Sequence, residues 1–155
     1  MLIRELDQFE QPPIQLLLLA DPSESMVQGY LEKGRCYVAE ESGEVVGVYI
    51  IWPKNKRVIE LVNISVAISE QKKGVGKSLV KHAINEAKKS HYKWIEVGTG
   101  NSSIDQLAFY QKCGFRMDRI EKNFFLTHYQ ESIIENDIVC RDKVMLSKSL
   151  DQHCS

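Results

Sequence analysis

The stretch Glu70–Val80, "EQKKGVGKSLV", decides how this sequence is read. Its "GVGKS" has the ending of a loop that binds nucleoside triphosphates, for which the full pattern is G-x-x-x-x-G-K-S/T. If Gly76-Lys77-Ser78 is that ending, the first glycine belongs at position 71, where the chain has Gln71. That glycine makes the sharp turn that folds backbone N–H groups around the β-phosphate, so its absence matters. No apolar run ending in Asp is available to hold magnesium. The triphosphate reading therefore rests on "GVGKS" alone.

Read from Gln71 instead, the loop is Q-K-K-G-V-G. It follows a long apolar run, Val58 to Ile68, that reads as a strand, and it opens a helix from about Gly74 to Ser90. Gly74 and Gly76 let backbone amides approach a ligand closely. First-turn amides have no partner inside a helix and point outward with the positive end of its dipole. Lys72, Lys73 and Lys77 add positive charge. The segment reads as a pyrophosphate cradle that needs no magnesium. A glycine-softened helix start on a lysine-rich surface fits the loop alone equally well.

Working outward, Val75, Leu79, Val80, Ala83, Ile84 and Ala87 share one helical face, with lysines filling much of the other. "KWIEVGT" is the next strand, so strand, helix and strand form a βαβ unit with a parallel pair. Upstream, Ile3 to Leu6 reads as a short strand and Ile14 to Ala20 as a helix. A second helix starts at Asp21-Pro22-Ser23 and stops at Gly34. "RCYVAE" and "VVGVYIIW", joined by "ESGE", read as an antiparallel hairpin. Downstream, Ser103 to Cys113 reads as a helix, with capping-box spacing between Ser103 and Gln106 and Gly114 at the C-terminal cap. "GFRMDRI" and "IVCRDKVMLSK" are late strands. The polar segment between them, Glu121 to Asp137, has no assignable structure.

The 155 residues fit one domain, here 2–150 with a short tail at 151–155. The net charge of −1 excludes a global basic field for nucleic acid. The "LLLL" run at Leu16–Leu19 is too short to cross a bilayer and reads as part of a buried helix. Cys36, Cys113, Cys140 and Cys154 are as scattered as His82, His91, His128 and His153, so no metal-ligand spacing appears. Scattered thiols and an acidic, proline-broken N-terminus suit a reducing cytoplasm and no signal peptide.

Two motifs in series carry a family resemblance. The Q/R-x-x-G-x-G/A loop between a long strand and a helix resembles the acetyl-CoA signature of GNAT-type N-acetyltransferases. "GNSSIDQLAFYQKCGF" (Gly100–Phe115) resembles that family's next segment, through Asn101, Ala108, Phe109, Tyr110, Gly114 and Phe115. The hairpin, long strand, loop and "GF"-terminated helix come in the family's order, roughly from Leu2 to Leu150. The resemblance implies an α/β (α+β) fold with a mixed, largely antiparallel central sheet, a splayed parallel pair and flanking helices.

It also implies the chemistry: acetyl transfer from acetyl-CoA to a primary amine by direct attack in a ternary complex. The cofactor would be held by the loop residues Gln71, Lys72, Lys73, Gly74, Val75, Gly76, Lys77 and Ser78. Backbone groups of Val66, Ala67 and Ile68 would meet the pantetheine arm like an added strand, with an oxyanion donor near Val66. Asn101 would bond that arm, or else serve only as a turn residue. Tyr110 matches the family tyrosine. A phenol with a reference pKa of about 10 keeps its proton at neutral pH and can pass it to a thiolate.

Glu60 is the candidate base. It is the exception among apolar positions 58, 62, 64, 66 and 68 of an alternating strand. Strand fraying that exposes Glu60 to solvent fits equally well. Glu96 is a weaker alternative. The acceptor side would involve Pro22–Gly34 and Glu121–Asp137, where Glu121, Glu131, Glu135 and Asp137 could attract a cation and Phe124, Phe125 and Tyr129 could line a pocket. A non-catalytic acyl-CoA-binding module is the alternative to an enzyme. No nucleic acid, membrane or metal is expected. A homodimer is a possible assembly, because a mixed sheet leaves edges to pair.

Overall fold

A computed structural model describes residues 1–151. Of the expected tail only Asp151 falls inside it; His153 and Cys154 lie outside the described residues. The chain begins with β1 (Leu2–Glu5), α1 (Ile14–Ala20) and α2 (Glu24–Lys33). Ser23 caps α2, its side chain accepting from the Met26 amide at 3.3 Å, and Gly34 ends it. The hairpin follows as β2 (Arg35–Glu41) and β3 (Glu44–Pro53), then β4 (Val58–Val66). A single 3₁₀ turn at Ile68–Glu70 leads to the loop and α3 (Val75–Lys89). Then come β5 (Trp94–Gly100), α4 (Ile104–Lys112), β6 (Arg116–Glu121), α5 (Phe124–His128), β7 (Ile134–Glu135), β8 (Ile138–Val139) and β9 (Lys143–Ser149).

Seven strands form one sheet in the order β1-β2-β3-β4-β5-β9-β6, and β7 and β8 form a separate small ribbon. Only β4 and β5 are parallel. They pair from Val58–Trp94 to Leu61–Val97 and then diverge. Beyond that point β4 stays with β3, and β5 stays with β9. One face of the sheet is covered by α1 and α2 through Leu17, Val27 and Tyr30. The other is covered by α3, whose Leu79, Val80, Ala83 and Ala87 are fully buried, and by α4 through Tyr110. The helical face expected for α3 is the one that is buried. No helix among the described residues is long and apolar enough to cross a membrane.

Four expectations change. The long strand stops at Val66 rather than Ile68, because Ala67 accepts from the Glu70 amide and turns the chain. The late strand "IVCRDKVMLSK" is broken into β8 and β9. The Ser103–Gln106 capping box is absent, since Ser103 Oγ donates to Glu135 and Gln106 Oε1 accepts from Thr99. Finally, β4 does not alternate throughout. Ile50 pairs with Asn63 and Ile51 with Leu61, so Val62 is an extra residue, a β-bulge. Ile59 and Leu61 therefore share the α3 face with Ile64 and Val66, while Val62 packs on the α1–α2 side.

Candidate active site

The loop bends sharply between the end of β4 and α3. Lys72 has φ +65° and Gly74 φ +87°, a left-handed conformation that strongly favours glycine at the helix cap. The first helical hydrogen bond is Ser78 N–H to Gly74 at 3.1 Å. The amides of Val75, Gly76 and Lys77 consequently have no carbonyl partner among the described residues. Gln71 donates its side-chain amide to the Val66 carbonyl at 3.1 Å and ties the loop to the strand. A Cβ at Gly76 would sit 3.5 Å from Phe109, an ordinary contact, so packing does not demand glycine there. What glycine provides is open space in front of the loop.

That space is a cleft of about 470 Å³. Gln71, Lys72, Gly74 and Gly76 border one end, Ile64, Ser65 and Val66 line β4, and Phe109 and Tyr110 face them. The Ala67 N–H bonds Val46 at 2.8 Å. In an antiparallel ladder alternate residues turn their polar groups away from the partner strand. Val66 and Ile64 therefore turn theirs toward the gap that β5 has left. Not every expected residue reaches the cleft. Ala67 uses both backbone groups internally, Ile68 is 72% exposed with its carbonyl on Gln71, Val75 is buried in the core, and Lys73 pairs with Glu70 at 3.3 Å. Lys77 and Ser78 do not border it.

A second cavity, about 320 Å³, lies where the splay opens toward α1 and α2. Tyr110 borders both spaces. Its ring packs edge-on against Phe109 and Phe115, it is 4% exposed, and its hydroxyl makes no hydrogen bond among the described residues. Burial pushes the phenol well above its ordinary pKa. Glu60 lines the second cavity with two ammonium groups beside it, Lys54 at 3.6 Å and Lys143 at 3.7 Å. Glu96 lines neither space and is held by Lys54 at 3.0 Å and Arg119 at 2.6 Å.

Residues 3–115 match the acetyltransferase (GNAT) family. The chain belongs to the GNAT family of acetyltransferases. It is 56% identical to the uncharacterized N-acetyltransferase YvbK of Bacillus subtilis, over 84% of each chain. A GNAT family acetyltransferase from Elizabethkingia anophelis, solved with acetyl-CoA bound, superposes with a TM-score of 0.94 at 42% identity, covering 96% of this chain and 97% of that one. A Bacillus subtilis acetyltransferase in complex with CoA superposes with a TM-score of 0.89 at 50% identity, covering 95% and 97%. This chain is an N-acetyltransferase.

In this acetyltransferase Asn101 borders neither cavity. Its side chain donates to the Val139 carbonyl at 3.1 Å and accepts from the Arg141 and Asp142 amides at 2.9 and 3.0 Å. Both polar atoms of that amide are engaged by the β8–β9 connection, as in a turn residue. The acceptor-side segment is partly as expected: Phe124, Phe125, Tyr129 and Glu135 line the second cavity, whereas Glu121, Glu131 and Asp137 do not. Pro22 and Tyr30, from the expected Pro22–Gly34 stretch, line it as well, whereas sequence reasoning missed Asp21, Asn63 and Lys143. One signal for Lys143 was available in Gly98. A Cβ there would collide with the Lys143 stem, so the glycine lets that side chain cross β5 to Glu60.

Proposed function

We propose that this acetyltransferase binds acetyl-CoA in the cleft between the glycine loop and the splayed end of β4, and passes the acetyl group directly to a primary amine in the adjoining cavity. The position of Tyr110 carries this reading, because it is a phenol at the junction of the two spaces. The pyrophosphate would rest at the start of α3, against Gly74 and the free Gly76 amide, beside Lys72. The thioester would lie along β4, with the Val66 or Ile64 N–H toward its oxygen. As the amine nitrogen bonds to the thioester carbon, charge moves onto that oxygen and those N–H groups meet it. The C–S bond then breaks, and the Tyr110 proton passes to the departing sulfur. Burial keeps the phenol protonated and makes a thiolate expelled beside it equally eager for a proton. Glu60 would take the proton lost by the amine, directly or through one water. The free thiols of Cys36, Cys113 and Cys140 agree with a reducing, cytoplasmic setting.

Thermal unfolding with acetyl-CoA, CoA or Mg-ATP tests the binding half. A ligand at a hundred times its Kd stabilises the folded state by about 2.7 kcal/mol. Protection by the two CoA species and none by Mg-ATP is expected; protection by Mg-ATP alone would overturn the cleft assignment. Tyr110→Phe tests the chemical half. It should keep that protection and lower thiol release about 100-fold, the scale of one general acid. Undiminished thiol release would remove Tyr110 from the mechanism.

A further inference from the structure

The charges on the wall of the second cavity are unevenly matched. They are three carboxylates, Asp21, Glu60 and Glu135, and one ammonium, Lys143. Lys143 is spoken for: it lies 3.7 Å from Glu60 and 4.4 Å from the centre of the Phe124 ring. Glu60 has Lys54 as a second neighbour. Asp21 and Glu135 have no cation within ion-pairing distance among the described residues. Both are nonetheless fixed in place through one oxygen. Asp21 Oδ1 accepts from the Tyr129 hydroxyl at 2.9 Å and the Ser23 amide at 3.0 Å. Glu135 Oε1 accepts from Ser102 at 3.1 Å and Ser103 at 2.8 Å. Each keeps its second oxygen uncommitted.

A buried polar group of the same wall is also short of a donor. Asn63 lines this cavity and is 4% exposed. Its Nδ2 donates to the Leu17 carbonyl at 3.1 Å, but its buried Oδ1 accepts from nothing. A buried acceptor left without a donor costs about 1–3 kcal/mol. An ammonium has three N–H donors and no acceptor, which is what such a wall lacks. The aromatic lining suits a cation as well, since a ring face attracts positive charge and Phe124 already carries Lys143.

We infer that the acceptor is a dication, an aliphatic di- or polyamine: one amino group is acetylated beside Tyr110 and the other is held as ammonium by Asp21 and Glu135. This rests on the assignment of the second cavity as the acceptor site. An amine that also carried a carboxylate would meet two unpaired acids, and its one possible partner, Lys143, would have to leave Glu60.

Three probes of equal chain length separate these cases: pentylamine, 1,5-diaminopentane and 5-aminopentanoate, which end in methyl, ammonium and carboxylate. In thiol-release assays the diamine should exceed the monoamine in kcat/KM by about tenfold, mostly through KM, the sum of two modest ion pairs. The amino acid should be poorest. Asp21→Asn and Glu135→Gln keep the anchoring oxygens and should bring the diamine-to-monoamine ratio toward one. Equal rates for all three probes, or a preference for the amino acid, would overturn the dication. Calorimetry of diamine and monoamine binding in the presence of CoA reads the same preference without turnover. Tighter diamine binding without thiol release would uphold the dication site and count against the transfer reading. Acetyl-CoA turnover with no diamine preference in either measurement would sink the dication alone.

Discussion

The cleft beside the glycine loop takes much of its wall from one nearly continuous run, Ile64 to Gly76, and much of what it offers is backbone. The cavity beyond Tyr110 is walled by side chains gathered from segments spread between Leu19 and Lys143. On the assignment proposed above, the contrast follows from the ligands. A pyrophosphate and a pantetheine arm are the same for every acetyl-CoA, and free amides at a helix start and a parted strand satisfy them with few side-chain requirements. An amine acceptor is distinguished by charge and shape, so its site is written in side chains brought together by the fold. Tyr110 borders both and belongs to the second motif, Gly100–Phe115.

Two glycines test that contrast most strongly, one on each side. Gly98→Ala puts a methyl where the Lys143 stem crosses, with Met145 Sδ only 2.8 Å away. Overpacking of this kind costs about 1–3 kcal/mol. The urea midpoint should fall, and KM for the amine should change severalfold as Lys143 is displaced from Glu60. Acetyl-CoA protection of the folded variant should persist. Gly76→Ala should do the reverse. Its methyl meets Phe109 at an ordinary 3.5 Å and replaces a glycine inside α3. Stability should stay level or rise by up to about 1 kcal/mol. Acetyl-CoA affinity should fall about threefold at most, because the loop pattern admits alanine at this position, and amine KM should not change. Loss of amine recognition in Gly76→Ala, or of CoA recognition in Gly98→Ala, would break the division.

The same division explains what was legible in advance. The loop, the α3 face and the order of strand, helix and strand are local patterns, and each appears where its periodicity puts it. Glu60 is more instructive. Its selection rested on an unbroken alternation along β4, but the bulge at Val62 moves Ile64 and Val66 to the opposite face. Glu60 does line the cavity, but the row used to choose it does not exist. A bulge depends on pairing with β3 and leaves little trace in β4 alone. The Glu121–Asp137 segment was opaque for a related reason. Its α5 and β7 are very short, and Glu135 and Asn136 are anchored by Ser102 and Ser103, more than thirty residues away.

Asn101 is a motif residue with two readings, one on the cofactor and one in the turn. Asn101→Ala removes three hydrogen bonds that pin residues 139–142 to the end of β5. The expected loss is about 1–2 kcal/mol, since two partner amides are partly open to water. A lowered urea midpoint with acetyl-CoA affinity retained in the folded protein would support this role. Weakened affinity at unchanged stability would return Asn101 to the cofactor.

The smallest effect concerns Glu96, which sits opposite Glu60 in the parallel register of β4 and β5. Burial pushes its carboxyl up, but hydrogen bonds and charge from Arg119 and Lys54 more than offset that and hold it below its ordinary 4.5. A carboxylate depressed in the folded state adds stability that is fully present above its unfolded pKa and is lost as pH falls through the folded one. Arg119 and Lys54 are 42% and 34% exposed, so water can take them up when the carboxylate is removed. Glu96→Gln should therefore cost about 1 kcal/mol or less at pH 7. The gap in urea midpoint between the variant and the parent should narrow toward pH 3. A gap independent of pH would mean that the charge of Glu96 contributes nothing. Because Lys54 is shared with Glu60, the same variant leaves that lysine to Glu60 alone. A change in the pH profile of amine turnover, with acetyl-CoA binding undisturbed, would place this charge network wholly on the acceptor side of Tyr110.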